Sequence, residues 1–142
     1  MVEWNAMAPF ACITVEFDFE SSHQLSRSDW SSEENDQVFG NCARLHGHSY
    51  RLLVTLRGEI SPDHGMVANF RDVKRVTRRE VIDLLDHRHL NDVVNGLTTA
   101  ENLCVWIARR LVPEFGDLLH RVELWETATA CAWLDRDSLQ SL

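Results

Sequence analysis

Apolar and polar residues alternate with period two near the amino-terminus. Ile13, Val15, Phe17 and Phe19 fall on one side, and Thr14, Glu16, Asp18 and Glu20 on the other. A strand sends successive side chains to opposite faces, so this stretch predicts a half-buried strand over residues 12–20, with the same parity carried on to His23. A second alternation fills residues 45–58. His46, His48, Tyr50, Leu52, Val54 and Leu56 share one face, while Ser49, Arg51, Thr55 and Arg57 share a wet one. Residues 24–41, between the two, are polar and without period. They predict a loop with room for one helical turn, and a connection of that length in a compact domain is often functional. Pro62, Asp63, His64 and Gly65 predict a turn.

The period then becomes helical. Val73, Val76, Val81, Leu84 and Leu85 predict a helix over 71–86. Thr98 and Glu101 fit the S/T-x-x-E capping box and predict a second helix starting near Thr98. Its stripe is Ala100, Leu103, Cys104, Ile107 and Leu111, and Pro113 and Gly116 end it. Val122, Leu124 and Glu126 share a face of a third strand over 120–127, and 128–134 predict a last one. The order ββααββ implies an α+β fold. It is a single domain over 1–142, a four-stranded antiparallel sheet with two helices on one face. Such a sheet has two open edges and no evident edge breakers, so edge-mediated oligomerisation is expected.

Composition narrows the function. The protein has 142 residues, 44% hydrophobic and 25% charged, which suits one globular domain with a sizeable core. A formal net charge of −8 argues against a nucleic-acid partner at the level of the whole molecule. It leaves room for a small anion in a local basic pocket. Among the 14 basic residues only Lys74 is a lysine. The four cysteines form no C-x-x-C pair, no secretory head precedes the first strand, and no apolar run approaches the ~18 residues of a membrane span. The expectation is a cytoplasmic protein with reduced thiols and no membrane partner.

Candidate chemistry begins at His46-Gly47-His48. Residues two apart on a strand point the same way, so both imidazoles can reach one metal ion, and His23 is the best third ligand. Alone, H-x-H reads more readily as two surface histidines beside a glycine turn, because the signal is short. Cys42, four residues before His46, could serve as a base, as a zinc ligand, or as a small buried hydrophobe. In Asp86-His87 a carboxylate can hold the tautomer of an imidazole, although a histidine closing a helix also suits the dipole, and His89 competes for the role. Glu126 is a carboxylate on an apolar face. It needs a salt bridge or two donors on a guanidine-like heterocycle. Glu101 reads first as a capping residue.

In order along the sequence stand FESSHQL, C-A-R-L-HGHSY, GMVANF, LDHRHLN, TTAENL and ELWET. This series, from about residue 13 to 134, resembles the 6-pyruvoyl/6-carboxy-tetrahydropterin synthase family. The resemblance implies a tunnelling fold (T-fold), in which the sheets of several subunits close into a barrel. It implies a homo-hexamer, a dimer of trimers, with active sites between subunits. It implies a zinc-dependent lyase acting on 7,8-dihydroneopterin triphosphate. By the same resemblance His23, His46 and His48 match the zinc ligands, Cys42 the catalytic base, and Asp86 and His87 the acid/base dyad. Glu126 matches the residue that anchors the pterin ring, and Thr99 and Glu101 match a block lining the pterin pocket.

Two blocks point to different branches. Cys42-x-x-x-His46 resembles the 6-carboxy-tetrahydropterin synthases of the queuosine and deazapurine pathway, whose product forms with loss of acetaldehyde and triphosphate. Ser31 to Cys42 (SSEEN-x-x-VFG-x-C) resembles the pyruvoyl branch, which keeps all three carbons of the substrate's tail. Asn69 stands where many members carry Asp. The carboxy product is the first expectation and 6-pyruvoyl tetrahydropterin synthase the alternative. A non-catalytic pterin-binding relative is the alternative of another class. A structural zinc site would need a fourth protein ligand, for which Cys42 is the near candidate.

Overall fold

The computed structural model describes residues 7–142. The reading of the amino-terminus as lacking a secretory head, and the start of the 1–142 domain span, fall on residues 1–6, outside the described residues. β1 (Phe10–His23) and β2 (His46–Glu59) form a long antiparallel pair whose register sets His23 opposite His46 and Ser21 opposite His48. β4 (Leu119–Thr127) adds to β2, and β5 (Ala130–Leu134) adds to β4, both antiparallel. The four expected strands are joined by a fifth. β3 (Arg88–His89) pairs in parallel with Ser21–Ser22, giving the order β3-β1-β2-β4-β5. Two residues are too short for any period to reveal.

One sheet face is apolar. Val15, Phe17, Phe19, Tyr50, Leu52, Val54, Leu56, Val122 and Leu124 are buried there. Helix α2 (Phe70–Thr77) covers β1, and α5 (Ala100–Phe115) covers β4 and β5, supplying Val73, Leu103, Cys104, Ile107, Ala108 and Leu111 to the same core. α2 passes through a π turn (Arg78–Ile82) into the short α3 (Asp83–Leu85). A one-turn helix, α4 (Leu90–Val93), follows β3, and α6 (Arg136–Leu139) lies near the carboxy-terminus.

Three local expectations change. The polar 24–41 stretch contains a full helix, α1 (Ser32–Phe39), started by a capping box between Ser31 and Glu34 and followed by a 3-10 turn (Gly40–Ala43). Buried Asn35 holds this segment together: its side chain accepts from Arg27 N at 2.7 Å and donates to the carbonyls of Arg27 and Ser31. The cap of α5 is Thr99 rather than Thr98, because Thr98 is turned inward to a histidine. Finally, α5 runs through Pro113 to Phe115 and stops at Gly116, whose φ of 53° is one that glycine reaches without the cost a side chain would add.

Candidate metal centre and flanking grooves

The apolar face ends in polar chemistry. Phe19 and Tyr50 stack with ring centroids 5.0 Å apart, and beyond them the same side of β1 and β2 holds His23, His46 and His48. Strand parity and register therefore place the three imidazoles together, with centroids 4.5, 4.9 and 5.2 Å apart. Gly47 fits between the two β2 histidines because a Cβ there would come within 3.1 Å of Ser21 O.

Two of the rings are oriented by what their Nδ1 meets. His23 Nδ1 lies 2.9 Å from Thr98 O and 3.1 Å from Thr98 Oγ1, and His46 Nδ1 lies 2.7 Å from Arg44 O. A carbonyl can only accept, so both rings carry their proton on Nδ1 and present a bare Nε2. The Nε2 atoms of all three histidines are buried and lack a hydrogen-bond partner among the described residues. Unpaired buried nitrogens are costly, and three that converge are the donor set a metal ion satisfies. The three ligand atoms lie within 4.8 Å of one another, so the site could hold a metal ion.

Electrostatics agree. Burial holds the pKa of His23 down at about 4, with the neighbouring imidazoles adding to the effect against the Thr98 carbonyl. Burial likewise lowers His48, opposed by the Glu126 charge. Neutral rings are the ligand form. Glu126 Oε1 approaches His48 Nε2 at 3.5 Å. At that distance, against a ring held neutral, the contact is neither a hydrogen bond nor a strong ion pair, and the carboxylate stays available to a ligand.

Glu126 continues the face of Val122 and Leu124, and a register shift falls beside it between Trp125 and Thr127, where β4 carries one residue more than β5. A groove of about 240 Å³ opens there, lined by Leu25, Thr99, Glu101, Glu126, Cys131 and neighbouring alanines. Thr99 and Glu101 thus join Glu126, Thr99 while also capping α5.

Cys42 lies on the 3-10 turn, exposed, and Leu25 N donates to its carbonyl at 2.7 Å, which ties the turn to the end of β1. The group that could hold an ion closes without it. Asp86 and His87 are built differently. α3 stops at Leu85, and Asp86 accepts from Glu20 N at 3.0 Å and sits 2.9 Å from His87 Nδ1. The Glu20 amide and then the His87 contact hold Asp86 below the usual carboxylate range. His87 N donates to Glu20 O, and its φ of 58° is one that a non-glycine residue adopts at a cost. The imidazole is swung out, 79% exposed, into a groove of about 490 Å³ shared with Glu20, Ser22, Ser49 and His89, and also with Ser21 and His48. Glu20, Ser22 and Ser49 alternate with Ser21 and His48, so residues of both strand parities line this groove at the end of the β1–β2 pair. The histidine group that could hold an ion closes without Asp86 and His87.

Other residues have roles that periodicity does not reveal. Thr98 and Arg44 act through the carbonyls named above. Asn91, in the LDHRHLN block, exchanges two hydrogen bonds with the backbone of Gln24 and fixes the segment just past His23. Asn69 caps α2, accepting from Arg71 N at 2.9 Å, a bond that Asp would make equally well.

The family model of 6-pyruvoyl tetrahydropterin synthase matches residues 12–137. The sequence is 41% identical over 113 residues to the 6-pyruvoyl tetrahydrobiopterin synthase of Dictyostelium discoideum, a match spanning 77% of this protein and 84% of that one. It is 36% identical over 126 residues to the 6-carboxy-5,6,7,8-tetrahydropterin synthase of Synechocystis sp., spanning 84% and 89%. The structure of Caenorhabditis elegans 6-pyruvoyl tetrahydropterin synthase superposes with a TM-score of 0.85 at 28% identity, over 92% of this protein and 98% of that one.

Proposed function

Because the protein belongs to the 6-pyruvoyl tetrahydropterin synthase family and is an enzyme of it, we propose that it is a zinc-dependent lyase acting on 7,8-dihydroneopterin triphosphate. The observation that carries the reading is the trio of buried, unpartnered Nε2 atoms on His23, His46 and His48, opening beside Glu126. Zinc held by these three would acidify the carbon-bound protons beside the hydroxyls of the substrate's tail. Glu126 accepts two donors from the guanidine-like edge of the pterin, and Thr99 and Glu101 line the same groove, which holds that tail over the histidines. Cys42 acts as the base that takes a proton.

Asp86 fixes His87 with Nδ1 protonated, leaving Nε2 to relay a proton. In this reading the exposed His87 gives its proton to the site of an adjoining subunit. The same reading gives the assembly as a homo-hexamer, a dimer of trimers, with each site shared across an interface. The protein is one domain over 1–142 in this reading, and Cys42, Asp86, His87 and Glu126 are its catalytic residues.

For the product, the three-residue spacing between Cys42 and His46 favours 6-carboxy-5,6,7,8-tetrahydropterin, as in the queuosine pathway. There the triphosphate carbon–oxygen bond and one carbon–carbon bond of the tail break, water supplies the carboxyl oxygen, and acetaldehyde leaves. A second reading, the 6-pyruvoyl product, is favoured by the 41% identity to the Dictyostelium relative. Incubating zinc-loaded protein with 7,8-dihydroneopterin triphosphate, with product masses and an acetaldehyde assay, separates them. Carboxy product with acetaldehyde supports the first, pyruvoyl product without acetaldehyde the second, and no turnover with zinc bound overturns both.

A further inference from the structure

We propose that the outward face of α2 is a second ligand site, one that takes a triphosphate-class anion. Arg71, Lys74, Arg75, Arg78 and Arg79 line a groove of about 710 Å³ there, with Asp83 the one acidic residue in its wall. None of these five cations lines the grooves beside His48 or Glu126, so the site is independent of the reaction proposed above.

The cations are poorly neutralised by their own subunit. Arg79 is spent on Glu80 and Glu114, and Arg75 approaches Asp72 at 3.6 Å. Arg71, Lys74 and Arg78 have no carboxylate partner among the described residues. Positions 71, 74, 75 and 78 lie three or four apart, which stacks like charges on one helix face, an arrangement that destabilises the helix unless an anion bridges them. In a protein of net charge −8 this is a local inversion of sign.

Placement of the arginines supports a built surface. At the π turn the Asp83 N–H reaches back to Arg78 O, five residues earlier, and π turns are found mostly where function requires a distortion. The Arg78 guanidinium sits 5.5 Å above the Phe17 ring, which holds it in place while leaving its N–H edges free. From residue 71 to 78 the row runs roughly 10 Å along the helix axis, suited to a few phosphoryl groups in line. Guanidinium forks pair with phosphate oxygens bidentately. A long polyanion would feel the repulsion of the whole acidic molecule, whereas a compact anion reads the local field.

Isothermal titration of the metal-loaded, full-length protein with inorganic tripolyphosphate tests the assignment. Saturable binding that weakens with salt is expected in the native protein. Lys74→Ala/Arg78→Ala should bind about tenfold or more weakly, the loss of charge-assisted contacts. Arg57→Ala/Arg109→Ala, which removes the same charge from other exposed positions, should bind within about twofold of the native protein. ATP added as competitor distinguishes sources: displacement assigns the site to nucleoside triphosphates as well, and no displacement assigns it to free triphosphate, both within the proposal. Absence of saturable binding, equal loss in the two variants, or unchanged binding in Lys74→Ala/Arg78→Ala overturns it.

Discussion

Two cysteines show how position decides the chemistry of one residue type. Cys42 is exposed on a turn and outside the histidine group, whereas Cys104 is fully buried in the core. If Cys42 takes a proton, Cys42→Ser loses turnover while metal analysis finds the native zinc content; zinc lost together with the fold would sink that role. Cys104 has the opposite character. Burial pushes its thiol up to about 12, from an ordinary value near 9. A raised folded-state pKa means that the unfolded protein releases its proton first. Stability from this group is whole below about pH 9 and falls as the pH rises towards 12, by up to about 1.4 kcal/mol per pH unit. Burial, and then the Glu126 charge, raise Tyr50 as well, so the decline should steepen above pH 10. Urea midpoints between pH 8 and 10.5 measure this, and Cys104→Ala should flatten the early part of the curve. A flat native curve would contradict the assignment.

At the level of elements, alternation locates β1, β2 and β4, and the same parity marks His23, His46 and His48 as neighbours from the sequence alone. What it cannot supply comes from contacts distant in sequence. The orientation of His23 depends on the Thr98 carbonyl, 75 residues away. That contact is also why Thr98 is not a helix cap. α1 is legible in principle, since Ser31 and Glu34 stand three apart, but its weakly apolar sequence hides it. β3 and the inverted φ of His87 arise from pairing with Glu20–Ser22, which no local pattern encodes. The Ser31 box gives an element-scale expectation. Ser31→Ala removes the Glu34 N contact at 3.1 Å and should cost about 1 kcal/mol, seen as increased amide exchange across α1. Unchanged exchange would mean that Asn35 and the Trp30–Phe39 stack hold the helix alone.

Among the described residues the sheet ends in two edges, β3 and β5, and Asp86 and His87 stand outside the histidine group. If the proposed hexamer covers these edges and completes the site, light scattering should give about six times 16.4 kDa, and dilution into monomers should abolish turnover without releasing zinc. A stable, active monomer would overturn the shared-site reading. The β1–β2 register has one more consequence. His23 and His46 face each other at the two ends of the twenty-two residues from Gln24 to Leu45. An ion gripped by both acts as a clasp on that excursion, fastening its base as a cross-link would. Its removal should therefore loosen the α1 excursion before the sheet: chelator-treated protein should be nicked by protease within 24–45 while β2 onwards stays intact, and added zinc should raise the melting temperature in a concentration-dependent way.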